Sequence, residues 1–329
     1  MSAEGSHRWT HRILMAAAAV AIVLVPLLYP QPFVITSLVF IAINIIVCVG
    51  LSLIFGYAGQ LSLTQAAFYG IGAYTSAIMT TRYGFSFWAG LLAASTLPGI
   101  AAFVIGSPIL KLRHFYLAMA TLAFSQIATV VFIEEADLTG GSAGIANVPP
   151  PNLFGFLLDR PERYYYLSWF FCGLVFWFSH NLINSKYGRA LRAIGDNELA
   201  ASAMGVNVPA LKNLMFVLGA IYAGLAGGLY VHFISFISPD MFSVTLSIAL
   251  VVMVAIGGLR SLWGAVLGAV FITILPSFLG GYRQYAMLIY GIVLVLALMF
   301  MPEGIAGAVT AVREYLRRLR LRKAAEDRQ

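Results

Sequence analysis

VITSLVFIAINIIVCVGLSLIF, residues 34–55, carries no charge, and it exceeds the roughly 20 apolar residues that a helix needs to cross a bilayer core. Its one strongly polar side chain, Asn44, is expected to bond a neighbouring helix, with contact to a ligand as the alternative. The run passes directly into GYAGQLSLTQAAFYGIGAY, residues 56–74. This stretch is too polar for lipid and too apolar for a free loop. Non-helical backbone at membrane depth is tolerated only where protein or an aqueous cavity covers it. We therefore expect a break near the cytoplasmic mouth of a central route, leading into a further span over 66–81. Gly56, Gly59, Gln60, Ser62, Thr64, Gln65 and Gly70 are candidates for lining or shaping that route. Helix packing through small residues is the competing account.

Composition extends this reading to the whole chain. Of 329 residues, 60% are hydrophobic and 10% charged, against roughly 45–50% and about 25% in soluble domains. The expected fold is an all-α polytopic membrane protein with about ten segments. The first, 13–28, follows a short polar segment, 1–12, and further apolar runs fall at 87–110, 115–133, 164–182, 214–233, 244–256, 265–279 and 285–301. The 244–256 run is too short for a straight span, so it must borrow flanking residues or be broken or re-entrant. GGLRSLWG, residues 257–264, is a second glycine-rich break. Setting Ser62-Leu63 against Ser261-Leu262 aligns Gly59 with Gly258 and hints at two related halves; Gly258 and Ser261 therefore join the route candidates. Gly224 and Gly228 form a small-xxx-small pair suited to close packing. Thr121, Ser125, Gln126 and Thr129 give the 115–133 run a polar stripe, either facing the route or bonding internally. Cys48 and Cys172 both fall in apolar runs, which suits buried hydrophobes rather than a disulfide.

Between two apolar runs lies KYGRALRAIGDNELAASAMGVNVP, residues 186–209, far longer than the roughly 2–8 residues that join neighbouring helices. Asp196 is expected to cap a helix of about two turns that Gly205 ends in a left-handed conformation. Ala200, Ala203 and Met204 share a small apolar face, preceded by Arg189 and Arg192 in a basic element. The stretch is either a solvated loop with a surface helix or a docking helix for a partner.

Ten spans put both termini on one side of the membrane. Sixteen of the twenty Lys and Arg then fall on that side, and Arg82, Arg160, Arg163 and Arg283 on the other. The positive-inside rule makes the richer side cytoplasmic. Residues 186–209 and the tail 303–329 are therefore expected inside, and the polar loop 134–163 outside. The net charge of +7 is explained by basic loops facing anionic lipid rather than by nucleic acid. The tail is a basic amphipathic candidate for lying on the inner leaflet or meeting a soluble partner. No charged side chain is left at membrane depth, which argues against a proton relay and against intramembrane enzymology. No catalytic motif and no P-loop is present, and the acids of 134–163 lack the spacing of a calcium loop, so no metal is assigned.

GYAGQLSLTQAAFYGIGAY, LTGGSAGIANVP, GRALRAIGDNELAASAMGVNV, GGLRSLWGAVLGA and LVLALMFMPEGIAG together resemble the permease subunit of a bacterial ABC importer for branched-chain amino acids, in its LivM-like branch. The resemblance covers approximately residues 34–307. It implies an ABC importer permease fold within 13–302, in the bacterial inner membrane. It also implies a related second permease, two cytoplasmic ATPase subunits that bind ATP and magnesium, and an extracytoplasmic solute-binding protein. No cofactor is expected in this chain. Residues 198–205 resemble the EAA coupling loop of importer permeases, with Glu198, Ala200, Ala201 and Gly205 as the recognisable members. Glu198 stands one position further from Gly205 than the general pattern has it, which leaves its role open. Arg189, Arg192 and Asp196 complete the expected coupling set. Alternating access would be driven by nucleotide-dependent closure of the ATPases. Related permeases serve urea and other amides. A secondary carrier or channel and a non-transporting scaffold are the other classes left standing.

Overall fold

The computed structural model describes residues 31–278 apart from Arg113, Phe154, Gly155 and Asp159, together with Pro26, Leu288, Gly291 and Ile292. Apart from those single positions, the expected first and tenth spans lie outside the described residues, as does the basic tail.

Helix α1, Pro32–Leu51, opens on a proline, whose missing N–H is no loss at a helix start, and ends in a wider π-helical turn, Ser52–Tyr57. The chain is non-helical from Ala58 to Thr64 and resumes as α2, Gln65–Thr81. Helix α3, Phe87–Ile109, is capped by Ser86, which accepts from the Ala89 N–H. Helix α4 covers His114–Glu134, the short α5 Ala136–Thr139, and α6 Pro161–Asn184. Two surface helices follow, α7 at Lys186–Asp196 and α8 at Glu198–Ala203. The long α9 is Val208–Ile234, α10 is Val244–Gly257 and α11 is Leu262–Phe278.

Six helical stretches among the described residues are long and apolar enough to cross a membrane, and Leu262–Leu275 is a shorter apolar one. The molecule is an all-α polytopic membrane protein. Helix α10 gains its length from a 3-10 turn, Pro239–Phe242, so it is the broken element that its short apolar run implied.

Helix α9 is the hub, packed on α1, α2 and α3. Lipid tails are as apolar as leucine, so helices in a bilayer associate through close fit. A Cβ on Gly72 would lie 2.4 Å from the Gly224 Cα, and Gly224 itself sits against the Ala94 carbonyl and the Pro98 ring. Gly228 packs on Leu91 and Ala94, so the expected small-residue pair does bring α3 onto α9. Asn44 Nδ2 donates to Thr273 Oγ1 at 2.9 Å, the interhelical bond expected of it. Among the described residues no Asp, Glu, Lys or Arg is buried.

One end of the bundle carries α7, α8, Lys212 and Arg260. The opposite end is closed by the 134–163 loop. There Arg82 donates to the Asp137 carbonyl, and β1, Ile145–Ala146, pairs antiparallel with β4, Phe236–Ile237. A second short pairing joins β2, Asn152–Leu153, to β3, Phe156–Leu157. Buried His232 fastens the loop from below: its Nδ1 lies 2.7 Å from the Pro149 carbonyl and its Nε2 2.9 Å from Ser76 Oγ. A carbonyl only accepts, so neutral His232 donates from Nδ1 and Nε2 accepts the Ser76 hydroxyl proton.

Candidate functional site: two broken segments, a cavity and a surface hairpin

The surface hairpin is built to stand on the bundle. Ser185 accepts from the Tyr187 N–H and starts α7. Leu191 and Ile194 turn inward, each contributing about 1.5–3 kcal/mol by burial. The cap of α8 is Asn197, whose Oδ1 accepts from the Ala200 N–H at 3.0 Å. This corrects the expectation for Asp196, which is the last residue of α7 and pairs instead with Arg260 at 3.2 Å. Gly205 takes φ +83°, the left-handed stop expected of it. Ala201 is 4% exposed and packs into the body, on the face of α8 opposite Leu199. Ala200, Ala203, Arg189 and Arg192 are exposed, and Leu199 and Met204 stand 80% and 85% exposed. Glu198 pairs with Lys212 at 2.7 Å, within the chain, so this exposed carboxylate holds α8 to the start of α9.

Above the hairpin the two glycine-rich breaks meet. A Cβ on Gly56 would fall 1.6 Å from the Leu259 carbonyl oxygen, and Ser52 Oγ donates to that same oxygen at 3.1 Å. Arg260 Nη2 donates to the Gly195 carbonyl at 2.8 Å, so the second break rests on the end of α7. Gly258 at φ +118° and Gly59 at φ +65° hold backbone conformations that side-chain-bearing residues rarely adopt. Ser261 Oγ accepts from the Gly264 N–H at 3.1 Å and starts α11.

The buried strand-like segment before α2 is satisfied from two sides. The Leu63 N–H donates to Thr121 Oγ1, while the Leu63 carbonyl accepts from Ser125 Oγ at 2.6 Å and Ser247 Oγ at 2.8 Å. Ser247 Oγ also accepts from the Ala66 N–H at 3.2 Å. The polar stripe of α4 is thereby explained at Thr121 and Ser125, whereas Gln126 is exposed. Ser62 and Thr64 are buried and bond each other at 2.8 Å, and Gly70 packs under Phe132 and Phe242. Gln60 and Gln65 are 2% and 1% exposed, with the nitrogen and oxygen of each carboxamide unpartnered among the described residues.

A cavity of about 320 Å³ lies where five helices converge. Phe40 and Asn44 of α1 form one wall, Ile272 and Thr273 of α11 another, and Tyr69 and Tyr230 close it from α2 and α9. Met241, Leu246, Ala249 and Met253 complete it from α10 and the turn before. Among the described residues no charged side chain lines it. Of these residues the sequence singled out Asn44, and Tyr69 lies within the 56–74 stretch expected near the route. The aromatic and sulfur side chains carry no polar signal that would separate them from the apolar runs around them.

Among known proteins, residues 33–298 match the family described as branched-chain amino acid transport system / permease component. The high-affinity branched-chain amino acid transport system permease protein LivM of Salmonella typhimurium is 30% identical over 286 residues, 80% of this chain and 67% of that protein. Its Escherichia coli K12 counterpart shows the same identity and coverage. The probable permease protein LivH of Methanocaldococcus jannaschii is 25% identical over 296 residues, 82% of this chain and 90% of that protein. No solved structure matches.

Proposed function

Since this chain belongs to the branched-chain amino acid transport permease family, we propose that it is the membrane-spanning subunit of an ATP-driven importer. It brings branched-chain or similar neutral amino acids into the cytoplasm by alternating access. It works in the inner membrane with both termini inside, beside a related second permease. Two ATPase subunits hold ATP and magnesium, and an extracytoplasmic binding protein delivers the solute. The chain itself contributes no hydrolytic chemistry; its part is to carry solute and to receive mechanical work.

One observation supports this reading above the rest: the α7–α8 hairpin presents Leu199 and Met204 outward while gripping, through Gly195 and Asp196, the Arg260 of a glycine-rich break. Two large apolar side chains at 80% and 85% exposure, one on α8 and one at its end, suit a groove on a partner. The excess of basic residues at this end supports a cytoplasmic side for it under the positive-inside rule.

The test is a photo-reactive benzophenone attached to Leu199→Cys in the assembled, transporting complex, with Tyr83→Cys at the opposite end as control. Leu199→Cys is expected to label an ATPase subunit, and Tyr83→Cys is not. An active complex in which Leu199→Cys labels only lipid or its own chain would remove the docking role.

A further inference from the structure

Tyr69, which closes the cavity, and Gln65 are four residues apart and therefore share one face of α2, a single turn apart. A buried carboxamide with neither donor nor acceptor satisfied costs roughly 1–3 kcal/mol for each unmet group, and among the described residues Gln65 is such a carboxamide. The cavity, which Tyr69 lines one turn further along α2 from Gln65, is neutral and soft. The rings of Tyr69 and Tyr230 lie 5.5 Å apart and those of Phe40 and Tyr230 6.1 Å apart, while the thioethers of Met241 and Met253 adapt to branched aliphatic shapes. Asn44 is fixed by its bond to Thr273, which leaves the wall rigid on that side. At about 320 Å³ the cavity sits at the lower end of ordinary small-molecule sites, a size suited to an amino acid and wasteful for urea.

We propose that this cavity is the membrane-depth subsite for the aliphatic side chain of the transported amino acid, with Gln65 serving its charged end. A carboxamide is the neutral group that accepts from an ammonium and donates to a carboxylate. It meets a zwitterion at both ends without the fixed charge that would hold it too tightly to release. The subsite rests on the importer reading above, and it adds where in the membrane a side chain is measured for size.

The experiment uses the assembled importer in vesicles, with ATP inside and the loaded binding protein outside, and compares labelled leucine with labelled alanine. Ala249→Leu narrows the cavity, and one or two methylenes in an apolar pocket discriminate by about 10- to 200-fold. The KM ratio of leucine to alanine is expected to rise about tenfold or more. Gln65→Met keeps the shape and removes the amide, so it should raise KM for both amino acids by a similar factor. Ala249→Cys gives a second readout that does not depend on how Ala249→Leu folds: leucine during turnover should slow its modification by a membrane-permeant maleimide at least about threefold. Equal effects of Ala249→Leu on both solutes, or a cysteine that leucine leaves unprotected, would mark the cavity as a lipid-filled or structural void and overturn the proposal. Gln65→Met without effect would overturn the assignment of the charged end. Wild-type vesicles that import neither amino acid would instead defeat the importer reading itself, in an arm that contains no variant.

Discussion

The clamp on Leu63 can be measured by removing its two serines singly and together. In Ser125→Ala the Leu63 carbonyl keeps its bond from Ser247, so the loss is that of an ordinary membrane-protein hydrogen bond, about 0.6 kcal/mol. Ser247→Ala also leaves the carbonyl one donor, but it strips the Ala66 N–H of its acceptor. That group lies in the first turn of α2, where Thr64 offers no side-chain cap, and orphaning it costs about 1–3 kcal/mol. The double variant removes both donors from a part-buried carbonyl. A further penalty of about 1–3 kcal/mol then arises that neither single variant shows, so the two substitutions are expected to be more than additive by about 1–2 kcal/mol. Reversible unfolding of the purified protein in mixed detergent micelles, followed by circular dichroism, gives the four free energies of the cycle. Additivity within about 0.5 kcal/mol would show that water or a relaxed backbone satisfies Leu63, and the clamp as described would be wrong.

Two further outcomes follow from close contacts elsewhere. Gly72→Val places a Cβ 2.4 Å from the Gly224 Cα, so α2 and α9 must separate; overpacking of this kind costs about 1–3 kcal/mol or more, and thermal aggregation in detergent should begin several degrees lower, whereas Gly173→Val, with open space around it, should leave the midpoint unchanged. Arg260→Ala breaks two exposed contacts to the end of α7, worth at most about 1 kcal/mol of stability, yet uptake should fall about fivefold or more while ATP hydrolysis by the complex continues; uptake and hydrolysis falling in proportion would refute a mechanical role for the Arg260 link.

Features set by local chemistry were open to a reader of the sequence. Gly205 needs a left-handed stop wherever the helix before it points, and it has one. The 244–256 run was too short to span alone at any angle, and the turn Pro239–Phe242 supplies the remainder. Asn44 had to find a partner in an apolar environment, and Thr273 is that partner. What escaped depends on distance along the chain. Ser125 and Ser247 lie 62 and 184 residues from Leu63, and a serine in an apolar run reads the same whether it bonds its own helix or another. The β1–β4 pairing rests on two residues per strand, too few for any alternation to register. Asp196 and Asn197 are adjacent residues with similar capping chemistry, and the choice fell to Asn197 because Arg260, brought in by the fold, engages Asp196. The cavity was hidden for a further reason. Its walls come from five helices, and its chemistry is that of the core itself.

These contacts form an unbroken path between the exposed hairpin and the cavity. Leu199 lies in α8 and Met204 directly follows it, and the neighbouring helix, α7, ends on Arg260. Arg260 follows Gly258, and Leu259 between them is pressed onto Gly56 at the head of the first break. That break runs to Leu63, whose carbonyl is held by Ser247 of α10, one residue after the cavity-lining Leu246. Close-packed interfaces shift between discrete arrangements rather than stretching, so under the importer proposal this is the path along which a displacement of the hairpin would travel unless a joint absorbed it. Gly59 at φ +65° and Gly258 at φ +118° are the joints this path offers, because there the backbone can turn without a side chain in the way. Under the importer proposal the neutral interior has a matching purpose. With no buried Asp, Glu, Lys or Arg among the described residues, opening the route to water on either side leaves no ion pair to be broken and resolvated, and the work delivered at the hairpin goes into moving helices rather than into charge desolvation.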